Sequence, residues 1–339
     1  MSLLEHYTNE FQNGSDLAVG DAADLFNALI TEADADSIVK TLQAWNKKGW
    51  SEDELFAFAD IMRRRMIPVK TRHGNVIDIV GTGGSAVKTF NVSTAAAFVI
   101  AGAGVAVAKH GNRAASSRSG SADVLEAMDI DIDIIPEQAE QILNEVGICF
   151  LYARRYHSLS PTLAAARSMV GAPTIFNNLG PLVNPASVPF SVIGVWRADL
   201  VATTARALGR LGTRCSWIVH AKRGLDEVDL AGPTLAARIV GDDVDFLDID
   251  PEEFGLDIAR DELPSGCSPA ESADIVIGVL ENRLHGTAAE QIVLANAATA
   301  LHVAGAAPDL VSACELAEES LRSGSAAGKL HGLVEATRT

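Results

Sequence analysis

The stretch Val76-Ile77-Asp78-Ile79-Val80-Gly81-Thr82-Gly83-Gly84, followed shortly by Asn91-Val92-Ser93-Thr94, decides the reading of the fold. Val76 to Val80 is a short β-branched run and predicts a strand. The glycines after it let the backbone turn sharply and present bare N–H groups to an anion. Asn91, Ser93 and Thr94 are good helix-start residues, and Ser93 to Gly102 has helical length. A second strand, Val105 to Ala108, follows. Strand, glycine loop, helix and strand in this order predict a parallel sheet flanked by helices. The loop is neither Gly-x-Gly-x-x-Gly nor a Gly-Lys-Ser/Thr phosphate loop. Alone it reads equally well as an ordinary tight turn. The helix start close behind it adds a second anion site, which suits a ligand with two phosphate groups.

The same alternation continues downstream. Ile148 to Tyr152, Val192 to Trp196 and Trp217 to His220 read as strands. Glu137 to Val146, Pro161 to Val170 and Leu200 to Leu211 between them read as helices. Thr234 to Val240 and Val244 to Asp248 flank Gly241-Asp242-Asp243 and predict a β-hairpin. Ala288 to Val303, Asp309 to Leu321 and Ala326 to Ala336 are helical again. Upstream, the first seventy residues read as all-helical, over Ala22 to Ile30, Ser37 to Trp45 and Glu52 to Met66. Ser51 and Glu54 form a capping box, and Pro68 stops that helix. Arg63-Arg64-Arg65 reads as a solvated helix end near the negative pole of the dipole. Val69 to Asn75 reads as a linker.

Composition bounds the rest. At ~150 residues per domain, 339 residues make about two domains. Hydrophobic residues at 48% and charged residues at 21% allow a real core and exclude disorder. The net charge of −17 makes the chain a poor general binder of nucleic acid, though a basic pocket for one small anion remains open. Cys149, Cys215, Cys267 and Cys314 lie far apart without a Cys-x-x-Cys, which argues against a zinc site or disulfide framework and for a cytoplasmic setting. Met1 to Glu10 has no apolar block and is no signal peptide. The longest run without Asp, Glu, Lys or Arg, Ser168 to Trp196, is punctuated by prolines, so no membrane span is expected.

Further motifs carry chemistry. Lys109-His110-Gly111-Asn112-Arg113 stands at the C-terminal edge of the second strand, where open α/β sheets hold their ligands. It reads as anion capture, against the alternative of a solvated turn. Ser116, Ser117, Ser119 and Ser121 around Gly120 read as a donor-rich loop ahead of a helix, or as a plain flexible loop. Asp226-Glu227, just after a strand, offers the oxygen ligands that Mg²⁺ prefers; a surface acidic pair is the alternative. Gly-Pro and Asn-Pro in Asn177 to Pro185 fix a rigid turn. Arg167 on the preceding helix reads as a surface residue, or as a partner for a carboxylate.

Taken in order, Gly-Thr-Gly-Gly, Asn-Val-Ser-Thr, Lys-His-Gly-Asn-Arg, Ser-Gly-Ser, Phe-Asn-x-Leu-Gly-Pro-Leu-x-Asn-Pro and Asp-Glu-Val resemble the anthranilate phosphoribosyltransferases from about residue 20 to residue 336. The resemblance implies an α/β fold with a small all-α domain and a mostly parallel central sheet, of the nucleoside phosphorylase/phosphoribosyltransferase type. Residues 1–70 would form the small domain, joined by the helical segment near 160–185, and 71–339 the catalytic domain. It implies transfer of the phosphoribosyl group of phosphoribosyl pyrophosphate to the amine of anthranilate, with Mg²⁺, in a homodimer joined through the small domains. Carried over by motif, Gly81, Gly84, Ser85, Thr89, Asn91, Val92, Ser93 and Thr94 would bind the donor. So would Lys109, His110, Gly111, Asn112, Arg113, Ser117 and Ser121. Gly81, Asn112, His157, Arg167 and Gly180 would face the acceptor. Ser93, Asp226 and Glu227 would ligate Mg²⁺, and Lys109 and His110 would act in catalysis.

The chain departs from the family pattern at Ser85, where Asp is common, at Pro173, where Arg is frequent, and at Tyr152, where Phe is usual. Ser85, followed by Lys88, trades a carboxylate near the pyrophosphate for a cation and predicts an altered Mg²⁺ dependence. Three other readings stand beside this one: a paralogue with another aromatic acceptor, a nucleoside phosphorylase, and a non-catalytic relative. The last predicts loss of Lys109 or of the acidic pair, and both are retained.

Overall fold

The computed structural model describes residues 2–85, 87–113 and 119–338. The chain opens with helices α1 (Leu3–Gln12), α2 (Ala22–Thr31), α3 (Ala35–Lys48) and α4 (Glu52–Arg65). Alternation follows: β1 (Ile77–Gly81), α5 (Val92–Gly102), β2 (Val107–Gly111), α6 (Ser121–Ala127), α7 (Pro136–Val146), β3 (Ile148–Tyr152) and α8 (Ala153–Tyr156). Next come α9 (Pro161–Val170), α10 (Ile175–Leu179), β4 (Phe190–Gly194), α11 (Asp199–Arg210) and β5 (Cys215–Ala221). The hairpin β6 (Thr234–Val240) and β7 (Asp243–Ile249) precedes α12 (Pro269–Leu280), α13 (Ala288–Val303), α14 (Leu310–Arg322) and α15 (Ser325–Thr337).

One seven-stranded sheet runs in the order β3-β2-β1-β4-β5-β6-β7. β1 to β5 pair in parallel, and β5, β6 and β7 pair antiparallel. The parallel strands are buried on both faces, as their unbroken apolar character requires. The chain winds outward from β1 in both directions, to β2 and to β4. That reversal leaves a crevice at the carboxyl ends of β1, β2 and β4, the place where such sheets bind ligands.

Several boundaries differ from the sequence reading. The second strand starts at Val107 and runs through Lys109, His110 and Gly111, which pair with Phe150, Leu151 and Tyr152. The positive φ of Gly104 (95°) turns the chain just before it, and the strand takes its register from β3. β4 begins at Phe190 and ends at Gly194, so Trp196 lies beyond it. α1 lies in the stretch read as all-helical but outside the three helices delimited there, and α12 lies outside every helix expected from the sequence. Both open on serine capping boxes, Ser2 with Glu5 and Ser268 with Glu271.

The burial forms two apolar clusters. One surrounds α5, α13 and the β1–β3 side of the sheet. The other runs from Leu4, Phe11, Trp45 and Phe58 through Leu163 and Phe176 to Leu200 and Ile239. The N-terminal helices therefore share a core with α9, α10 and α11. Arg63 corrects the solvated-end reading of the arginine run. Its guanidinium donates to the carbonyls of Leu182 (2.7 Å) and Leu211 (2.9 Å) and joins α4 to the sheet-bound segments. Arg64 and Arg65 are exposed, as expected. The linker is also tied down: the Lys70 and Arg72 N–H groups donate to Glu140 and Asn144 of α7, and Val69 is buried.

Candidate active site

Gly81, Gly111 and Gly194 close three adjacent parallel strands and open the crevice. The bareness of two of them is required by close approach. A Cβ on Gly81 would stand 2.8 Å from Asp226 Oδ2, and one on Gly194 would stand 1.6 Å from the Asp226 carbonyl oxygen. The loop carrying Asp226-Glu227 thus rests directly on the ends of β1 and β4. The Gly83 N–H donates to Asp226 Oδ2 at 2.9 Å, across 143 residues of sequence. Thr89 Oγ1 donates to Glu227 Oε2 at 3.1 Å. The acidic pair is therefore no surface pair; it is docked against the glycine loop and the start of the next helix.

Burial raises the pKa of both carboxyls and makes them weaker acids. Glu227, with the like charge of Asp226 beside it, is pushed up to about 8. Neither carboxylate has a direct ion-pair partner among the described residues. Two crowded carboxylates, with Lys88 and Lys109 near but neither in direct ion-pair contact, fit a divalent ion. Among the described residues no cluster of three His, Cys, Asp or Glu exists. A site with so few protein ligands suits a hard cation that keeps several waters, as Mg²⁺ does. Ser93, the third expected ligand, is joined instead to Lys109: Nζ donates to Ser93 Oγ (3.2 Å) and to the Ile79 carbonyl (2.7 Å).

Lys109 is buried in the second strand, and burial lowers its affinity for the proton while Asp78 opposes that shift. Asp78, fully buried in β1, faces the same network. Its carboxylate accepts from the His110 N–H (3.2 Å) and from Asn184 Nδ2 (2.8 Å). Asn184 also donates to the Ala108 carbonyl. The sequence reading assigned neither residue a role. The signal lay in an Asp between two isoleucines in an apolar strand, where a charge survives only with partners.

The residues expected on the phosphate side assemble as follows. α5 starts at Val92, and its N-cap Asn91 makes no side-chain cap bond, so the capping role expected of it is absent. Asn91 Nδ2 donates instead to Ser119 Oγ at 3.2 Å. The first N–H groups of the helix are left for an anion. Ser121 begins α6, beside Gly111, where a Cβ would stand 2.4 Å from its hydroxyl. Thr94 is fully buried, and among the described residues its Oγ1 has no hydrogen-bond partner. Arg113 is turned to Asp123 and Glu126 on α6, and its guanidinium also lies 5.8 Å from the Tyr152 ring centroid. Gly84 is pressed on Trp196, which faces Trp50 of the N-terminal helical group at 6.1 Å. Ser85 is buried, with Oγ 2.7 Å from the Val87 carbonyl and 2.6 Å from the Gly224 carbonyl. Ser117 lies outside the described residues.

On the other side of the crevice, His110 and His157 meet edge to face at 5.2 Å. His110 Nδ1 lies 3.0 Å from the Gly180 carbonyl. Burial holds the two imidazoles down, to about 3 for His110 and about 4 for His157, so both are neutral at pH 7. A neutral His110 that donates from Nδ1 carries its lone pair on Nε2. Both Nε2 atoms are buried without a hydrogen-bond partner. Arg167 stacks over Phe176 at 5.1 Å, and among the described residues no carboxylate pairs with it. Burial alone lowers it to about 10. The Pro173 carbonyl accepts from Asn46 Nδ2 (2.9 Å), which ties the turn between α9 and α10 to α3.

Comparison with known proteins agrees with this geometry. Residues 73–327 match the family described as glycosyl transferase family, a/b domain. The anthranilate phosphoribosyltransferase of Moorella thermoacetica is 44% identical over 335 residues, covering 98% of each chain. That of Persephonella marina is 39% identical over 95% of each. The crystal structure of the Thermus thermophilus enzyme superposes with a TM-score of 0.88 at 36% identity, covering 98% of this chain and 99% of the other. The Saccharomyces cerevisiae enzyme in complex with phosphoribosyl pyrophosphate and Mg also gives 0.88, at 26% identity, covering 99% of this chain and 98% of the other. This chain belongs to the anthranilate phosphoribosyltransferase family.

Proposed function

We infer that the chain transfers the 5-phosphoribosyl group of phosphoribosyl pyrophosphate to the amine of anthranilate, releasing pyrophosphate. The observation that carries this is the seating of the Asp226 carboxylate on the Gly83 N–H. It brings a cation-binding pair to a phosphate-binding loop. Structures of the yeast relative are described with phosphoribosyl pyrophosphate and Mg and with 4-fluoroanthranilate, which supports the same ligands here.

In this reading Asp226 and Glu227 would hold Mg²⁺, and Ser93, whose Oγ accepts from Lys109, would join them with a second lone pair. The ion, when bound, would supply positive charge beside the pyrophosphate leaving group. The Gly84 N–H and the first N–H groups of α5, with Lys109, hold the phosphates and meet the charge that grows as the C1–O bond breaks, while the Thr82 and Gly83 N–H groups are taken by Gly194 and Asp226. Ser85, buried, fixes the loop and does not present its hydroxyl to the crevice. Arg167 holds the anthranilate carboxylate, since a half-buried guanidinium without an acid partner is a ready-made receptor. Gly180, Asn112 and His157 line that side. The anthranilate amine is uncharged at pH 7 and attacks C1 without prior deprotonation. Its nitrogen becomes cationic as the new bond forms, and a weak acceptor then suffices. His110 Nε2 is such an acceptor. Holding donor and acceptor across one crevice supplies much of the rate.

We also propose a homodimer through the N-terminal helices, where Leu3 and Val19 are exposed, and a cytoplasmic setting, which the free cysteines favour. No described helix is long and apolar enough to cross a membrane.

The test is donor-dependent loss of anthranilate fluorescence with Mg²⁺. Arg167→Met should raise the KM for anthranilate by roughly ten- to a hundredfold, as loss of a charge-assisted bond implies, and leave the KM for the donor unchanged. Equal effects on both substrates would remove Arg167 from the acceptor site. Loss of activity with donor still bound would favour the paralogue reading, with another aromatic acid as acceptor.

A further inference from the structure

The acidic loop is held from two sides. Its front rests on the glycine loop, as described above. Its back is held by Asn296, in the middle of α13. The Val228 N–H donates to Asn296 Oδ1 at 3.0 Å, and Asn296 Nδ2 donates to the Val228 carbonyl at 2.9 Å. The second amide hydrogen goes to the Ile292 carbonyl at 2.8 Å. Asn296 is 2% exposed and Val228 is fully buried, so no water competes for these groups. The carboxamide reads the Val228 main chain as a neighbouring strand would. It thereby fixes the peptide adjoining Glu227.

The same helix packs along α5, whose first turn faces the phosphates. α13 therefore sets the acidic pair at a fixed position relative to the helix start that receives the donor. Along the loop, Ser85 holds Gly224, Gly83 holds Asp226, and Arg223 and Thr234 hold Asp229. Asn296 is the anchor that α13 provides, and it acts on the residue next to Glu227.

We propose that Asn296 is a positioning residue for the cation site: through Val228 it aims Glu227 and sets the affinity for the divalent ion. This rests on the reading that Asp226 and Glu227 bind that ion. The test titrates the whole chain with Mn²⁺ in the presence of inorganic pyrophosphate, following free Mn²⁺ by electron paramagnetic resonance, beside thermal melting. Asp226→Asn with Glu227→Gln is the reference without a site. Thr299→Val is the control, since Thr299 is as deeply buried on α13 but bonds only its own helix, at the Ala295 carbonyl. Asn296→Leu should weaken Mn²⁺ binding about tenfold, the worth of one or two lost neutral hydrogen bonds. Thr299→Val should leave it unchanged even where its melting temperature falls equally. If Asn296→Leu does not fold, Asn296→Ser, too short to span both Val228 groups, should show the same loss. Wild-type Mn²⁺ affinity in the folded Asn296 variant would overturn the proposal. Absence of Mn²⁺ binding by the unmodified chain would instead overturn the assignment of the acidic pair, and this inference with it.

Discussion

Gly194→Ala tests the close approach on which the site depends. Gly194 ends β4, between β1 and β5, in register with Gly81 and Val219, and its carbonyl accepts from the Thr82 N–H at 2.9 Å. Its φ is not positive, so alanine meets no backbone strain there. The only obstacle is contact. The new methyl would stand 1.6 Å from the Asp226 carbonyl oxygen and 2.3 Å from its carbon, where real contacts do not fall below 3.0 Å. A central strand held on both sides cannot yield, so the loop must retreat by the difference between 3.0 and 1.6 Å, at least 1.4 Å. Overpacking of this kind costs about 1–3 kcal/mol of stability. Misplacing a binding group by about 1 Å costs roughly a hundredfold in rate. The assay is kcat/KM across a Mg²⁺ titration, beside chemical denaturation. Activity should fall about a hundredfold and the Mg²⁺ requirement should rise, in a protein that still folds. Gly328→Ala, on α15 with nothing within 4 Å of the added methyl, is the control; it should keep wild-type kinetics. Wild-type kcat/KM and Mg²⁺ dependence in Gly194→Ala would refute the claim that the acidic loop is seated on β4.

Other perturbations probe the remaining assignments. His110 and His157 resist protonation down to about 3 and about 4, so neither imidazole titrates between pH 5 and 8. The pH profile of kcat/KM should therefore carry no inflection near 6.5 that His110→Asn removes; such an inflection would show that the folded imidazole is basic. The same depressed values make the unfolded chain take up the protons as pH falls below about 6.5, so each histidine withdraws up to ~1.4 kcal/mol of stability per pH unit there. Urea melts of His110→Asn between pH 6.5 and 5 should show that part of the slope gone. Glu54, fully buried, accepts from the Leu17 and Ser51 N–H groups, Trp45 Nε1 and Lys48 Nζ. Glu54→Gln removes one of the two acid partners of Lys48 and leaves Asp16 at 2.6 Å, so it should cost about 1.5–3 kcal/mol in denaturant unfolding, the worth of a charged hydrogen bond; no measurable loss would mean that Asp16 alone satisfies Lys48. Ser85→Asp sets a carboxylate, which has no proton to donate, against the Val87 and Gly224 carbonyls. Its Mg²⁺ activation curve should separate from that of the wild type and its melting temperature should fall; coincident curves would make Ser85 irrelevant to the metal.

The fold was legible where the code is local. β-branched runs, capping boxes and the Gly241 turn announce their elements through periodicity and through the chemistry of a few neighbouring residues. Ile148–Tyr152, Pro161–Val170 and Ala288–Val303 fall where the pattern puts them. α1 and α12 carry local signals too, the Ser2/Glu5 and Ser268/Glu271 capping boxes, and α1 adds Leu4, Tyr7 and Phe11 at helical spacing; the reading passed over them. The start of β2 escaped because register is set by the partner strand. The acidic pair illustrates both sides. Its chemistry stands in the sequence as Asp-Glu after a strand, yet the bland surface reading fits that dipeptide equally well.

By itself the sequence determined the class of fold, the order of the glycine-loop, helix-start and acidic motifs, and the residue types available for anion, cation and carboxylate. These follow from local propensity and from motif order along the chain. Tertiary structure alone decided which of them meet. Asp226 rests on Gly83, Asp78 takes Asn184, Arg63 crosses to Leu182 and Leu211, and Asn296 grips Val228. Each pairing spans scores of residues, so no local pattern announces it. Each exists because a buried donor or acceptor must find its partner within the packed interior, and only the packing decides which one lies within reach.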